Sequence, residues 1–136
     1  MSQIVEALFP PPAYRRTPLG LLQWWESRRL VYNGVVGVTG VVSLTMVELF
    51  AWLPPGPHFS IPLMGVVVFG VAANVCYSMG WFVESAAERL WGREAPLLGP
   101  ALFRQGLSFS VGLTLLPAAM SVAGWAGRVA RALGLF

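Results

Sequence analysis

With 136 residues, 56% of them hydrophobic and 11% charged, the chain has too few charges to cover a soluble surface, where about 25% is usual. Its net charge of +3 comes without a basic stripe interleaved with aromatics, which sets nucleic-acid binding aside. A single cysteine (Cys76) and a single histidine (His58) exclude an internal disulfide and leave too few N and S ligands for a zinc, haem or iron–sulfur centre of the chain's own.

All basic residues are Arg and all acidic residues are Glu, an alphabet that fits a GC-rich coding sequence. The absence of Lys and Asp removes a lysine Schiff base, a phosphate-binding lysine and an aspartate nucleophile. The length suits one domain.

Residues 1–29 read as a cytoplasmic proline-rich tail followed by an interfacial helix. The first twelve lack the basic and apolar regions of a signal peptide. Pro10, Pro11 and Pro12 favour extended polyproline II, and the PPxY string ending at Tyr14 reads as a stiff spacer rather than a WW-domain ligand. From Pro18, the residues Leu21, Leu22, Trp24 and Trp25 fall on one side of a helix expected to lie on the membrane surface. Trp24 and Trp25 are the expected headgroup anchors, with Arg28 and Arg29 closing the segment. Glu26 can pair with Arg29, to little effect if exposed.

The first span is expected over residues 30–53, with Trp52 at its far interface. Gly34, Gly37 and Gly40 recur every three residues and would let another helix approach. Glu48 is the one acid in any span, and such a group is by default a functional candidate. It lies about five residues, or roughly 7 Å, from the span's end, within reach of the interface. A short turn through Pro54, Pro55, Gly56 and Pro57 to His58 makes spans one and two a hairpin.

Residues 61–83 form the strongest span: 23 residues with no charge, ten of them Ile, Leu, Val or Phe. Those ten contribute roughly −3 to −6 kcal/mol toward insertion. Gly70, Asn74 and Ser78 recur every four residues, as do Ala72, Cys76 and Gly80 on another side. Two small-residue faces predict neighbours on two sides and make this the central helix. Asn74 near the midplane needs a hydrogen-bond partner, and Tyr77 is the expected local one. Trp81 is an expected anchor. The polar loop 84–99 holds Glu84 and Glu88 at i, i+4, expected to be a solvated face at the end of a helix running to about 89–91.

The third span, residues 106–126, follows a helix start at Pro100 and ends at the anchor Trp125. Gly106, Ser110, Thr114 and Ala118 make a small, partly polar stripe that reads as a packing face. Pro117 predicts a kink. Residues 127–136 read as a short amphipathic tail helix on the membrane.

Seven arginines precede span one or lie between spans two and three, against two after span three. This places the N-terminus in the cytoplasm and the C-terminus outside, in a membrane expected to be bacterial and inner. The fold class is thus all-α integral membrane, with three transmembrane helices in residues 30–126 and short interfacial helices at both ends. The chain holds no nucleophile–base pair, metal cluster or phosphate loop, so no enzyme, metal or cofactor is expected. Any haem, chlorin or quinone contact would be shared with a partner. The expected role is an accessory subunit packing against other membrane proteins, or a homo-oligomer, in the lipid bilayer. The alternative is an oligomeric channel, transporter or holin-like pore former using Glu48.

Overall fold

The computed structural model describes residues 17–56, 61–91 and 98–135. They form three helices, each long and apolar enough to cross a membrane: α1 (Pro18–Trp52), α2 (Leu63–Trp91) and α3 (Gly99–Ala132). The tail with its PPxY string, His58 and Arg93 lie outside the described residues.

Each helix starts or runs on for a local reason. The Thr17 hydroxyl caps α1 by accepting from the Gly20 N–H at 3.1 Å, and Pro18 occupies the first turn, where its missing donor costs nothing. Pro100 plays that part in α3. At 34 and 35 residues, α3 and α1 are about 51 and 53 Å long, well beyond a 30 Å hydrocarbon core.

That length corrects the two flanking interfacial helices. Residues 18–29 are the first third of α1, not a separate surface helix, because no breaker follows Gly20 and the apolar side of the segment is covered by the other helices. Leu21 is fully buried, and Trp25 is 2% exposed. At the other end, α3 continues through Pro117 to Ala132, and the turn at Gly134 (φ +71°) closes the chain. Residues 127–132 are therefore continuous with α3.

The order of packing also differs from the expected one. α1 and α3 run parallel and are the main pair, while α2 returns antiparallel and touches them chiefly through its second half. The buried residues of α1 repeat every eleven positions, Leu21, Tyr32 and Ser43 on one line and Trp25, Val36 and Val47 on the next. In α3 the same interval relates Gly99 to Ser110 and Phe103 to Thr114. Eleven residues make three turns at about 3.67 each, so these positions stay on one face over the whole helix. Midway the stripe is small and polar, with Gly40, Ser43, Ser110, Thr114 and Ala118 bringing the two backbones together.

The glycines of α1 divide accordingly. A Cβ at Gly40 would stand 3.8 Å from Thr114 Cγ2, whereas one at Gly34 or Gly37 would meet nothing within 4 Å. Gly37 thus takes no part in contacts within the described chain. Gly40→Leu should push α1 from α3 and lower the thermal midpoint in detergent, while Gly37→Leu should not. Equal midpoints for the two variants would contradict this packing.

Candidate functional site

The second half of α2 places Tyr77, Gly80, Glu84 and Ala87 on one face, three or four residues apart, and this face meets both other helices. Glu84, expected in a solvated loop, is 3% exposed. Its Oε2 accepts the Trp25 indole N–H at 2.7 Å, and its Oε1 accepts the backbone N–H of Gly99 at 2.9 Å. Gly99 opens α3, and a helix's first N–H groups have no partner within the helix. One carboxylate therefore joins all three helices.

Two glycines make this approach possible. A Cβ at Gly99 would fall 2.8 Å from Glu84 Oε2, and one at Gly80 would fall 2.5 Å from the Trp25 ring. Both distances are inside contact, so a side chain at either position would force the carboxylate or the indole to move. Around them an aromatic cluster fills the bundle end. Trp25 meets Tyr77 edge-on at 5.4 Å between ring centroids, Tyr32 lies 4.6 Å from Tyr77, and Phe103 flanks both Trp24 and Trp25. Such pairs add about 0.5–1.5 kcal/mol each beyond their burial.

Hydroxyls join the same elements. Tyr77 donates to the Trp25 carbonyl, and Tyr32 donates to the Ala73 carbonyl at 3.2 Å while pairing with the Ser110 hydroxyl at 2.8 Å. Tyr77 is thus not the partner of Asn74. The Asn74 amide instead donates to Gly70 of its own helix at 3.1 Å, a bond available to any helical Asn.

The expected interfacial anchors separate into different roles. Trp24 and Trp25 are buried at 8% and 2% exposure, so their rings pack inside the bundle end. An indole is as well suited to a core as to an interface when its N–H finds an acceptor, and Glu84 provides one for Trp25. Arg28 stacks over Trp24 at 4.1 Å, and Arg29 bonds both Glu26 at 2.7 Å and the Ser78 hydroxyl at 3.3 Å. Trp52 is exposed, Trp81 is half-buried, and Trp125 donates to the Pro54 carbonyl at 3.2 Å. Next to it Arg128 donates to Pro55 at 2.7 Å and Phe50 at 2.8 Å, holding α3 against the end of α1.

Ser110 sits in the α1–α3 contact, whereas Gly70 opens onto empty space and Glu48 is half-buried. Gly99 was not singled out by sequence, and Trp25, Gly80 and Glu84 were expected in other roles: a headgroup anchor, a small-residue face and a solvated face. The available signal was the spacing of Tyr77, Gly80 and Glu84 on one helical face.

Among the described residues, no three His, Cys, Asp or Glu side chains gather where a metal could bind. Between α2 and α3 lies a groove of about 390 Å³ lined by Cys76, Tyr77, Gly106 and Ser110 among others. Comparison with family models, curated proteins and solved structures finds no match.

Glu84→Ala leaves the Trp25 indole and the Gly99 amide without acceptors and should cost about 2–4 kcal/mol in detergent unfolding. Trp25→Phe keeps a ring but removes the donor. A double-mutant cycle on the pair should show coupling of about 1 kcal/mol or more, and additive losses would separate the two residues energetically.

Proposed function

We propose that the chain is a structural, accessory subunit of a larger membrane assembly and performs no chemistry of its own. The observation that carries this reading is the bare surface of α2. In its most apolar window 6% of residues are buried, against 17% in α1 and α3, and its buried residues Tyr77, Glu84 and Ala87 all lie in the second half.

The exposed side is suited to a helix neighbour. Gly70 keeps the backbone accessible, and the Asn74 carboxamide uses one N–H on its own helix. The rest of that amide is unfavourable against lipid and favourable against a partner, at about 0.6–2 kcal/mol per interhelical bond. A partner of this kind is another membrane protein, with a second copy of the chain as the simplest case. Small subunits of this build are common in energy-transducing complexes, an analogy that suggests where to look. The arginine distribution supports an N-terminus in the cytoplasm and a C-terminus outside, in a bacterial inner membrane.

Mild solubilisation at native expression, followed by mass spectrometry of what co-purifies, tests the reading. The partner should be retained by the natural chain and lost from Gly70→Leu and Asn74→Leu, whose own thermal midpoints should stay unchanged. Recovery of a free monomer alone would remove the basis for a subunit. Glu48→Gln should leave proton or ion flux in reconstituted vesicles unaltered. If the substitution abolishes such a flux, the channel reading replaces this one.

A further inference from the structure

Two grooves on the bundle meet at Ile61 and Pro117 and run together along α3. The deeper one, about 240 Å³, reaches Gly40 and Thr114, and the outer one, about 340 Å³, ends at Gly124 and Arg128. From Gly124 to Thr114 is ten residues, or about 15 Å along the helix, which is the depth of one leaflet of a 30 Å hydrocarbon core. The walls are chiefly apolar, and the mouth is cationic.

Arg128 is half-buried there. Its Nε and Nη2 donate to the carbonyls of Pro55 and Phe50, while Nη1 makes no hydrogen bond and the residue no salt bridge among the described residues. Gly124, on the groove wall, faces that nitrogen: a Cβ placed on it would stand 3.9 Å from Nη1. A guanidinium drawn partly out of water without a counter-ion is unfavourable, and an anionic oxygen beside it is correspondingly stabilised. Arg29, in contrast, already has Glu26.

We infer that this groove holds an anionic phospholipid of the surrounding bilayer, its phosphate on Arg128 and one acyl chain lying past Pro117 toward Gly40. Charge and polarity select the lipid: the guanidinium at the mouth matches a headgroup phosphate, and the chiefly apolar walls beyond it match an acyl chain. A zwitterionic headgroup carries its own cation and satisfies the arginine less well than a net negative one. The site is separate from the Gly70 and Asn74 side of α2 on which the accessory role rests, although Gly65, Val66 and Phe69 of the same half line its inner part.

The full chain, reconstituted in nanodiscs of phosphatidylcholine with a minority of phosphatidylglycerol and released into mild detergent, should retain phosphatidylglycerol in native mass spectra well above its input share. Arg128→Gln should lower that enrichment about tenfold, the worth of one charge-assisted hydrogen bond. Arg131→Gln, an exposed arginine outside the groove, should leave it unchanged. Gly124→Leu keeps the charge but fills the mouth, and should lose the retained lipid while circular dichroism reports an intact helical fold. It carries the test if Arg128→Gln fails to fold. Retention of the two lipids in their input ratio would overturn the proposal, as would equal losses in Arg128→Gln and Arg131→Gln. Undiminished retention in Gly124→Leu, or a polypeptide retained in place of lipid, would do the same.

Discussion

A carboxylate taken out of water needs hydrogen-bond donors, and Glu84 draws them from the two helices other than its own. The requirement works in both directions. The Trp25 indole can be buried because it has an acceptor, and the first amide of α3 has a partner that its own helix cannot give. Besides this joint, α2 is held by the burial of Tyr77 and Ala87 and by hydrogen bonds from Tyr32 to the Ala73 carbonyl and from Arg29 to the Ser78 hydroxyl. Gly80 and Gly99 belong to the same constraint, since a side chain on either would collide with the Trp25 ring or the carboxylate.

α1 and α3 cohere by another means. Lipid is as apolar as their side chains, so burial of valine and leucine gives no preference for protein over membrane. What distinguishes their contact is backbone proximity, set by small residues midway along a buried stripe that recurs every eleven residues, and joined by the Tyr32–Ser110 bond. α2 has small residues too, but a side chain added at Gly70 in its first half would meet nothing among the described residues. A small-residue stripe therefore marks where a helix can be approached, and tertiary structure decides whether its own chain does so.

The three spans were legible because uncharged runs of this length have few other destinations, and residues 61–83 overlap nearly all of the apolar part of α2. Helix starts at Pro18 and Pro100 followed from proline's missing donor. Which faces meet was not legible, since these helices are apolar around most of their circumference and show no polar side to mark the outside. The burial of Trp24 and Trp25 was not legible for the same reason: an indole serves interface and core alike. Glu84 was paired with Glu88 by spacing, yet the first is buried and the second half-exposed. Their difference depends on Trp25, 59 residues away from Glu84, which no local pattern reports.

The two ends of the parallel pair carry opposite signs in their side chains. Aligned peptide dipoles leave about half a positive charge at each helix N-terminus and half a negative charge at each C-terminus, and two parallel helices place like ends together. Glu84 sits at the positive end of α3, while Arg128 sits on the last carbonyls of α1, at the negative end. Each charged side chain thus offsets the field of the end it occupies. Exchanging the two, with the arginine at the Gly99 end and the glutamate at the Phe50 end, would set each charge against backbone groups of its own sign in a medium that screens poorly.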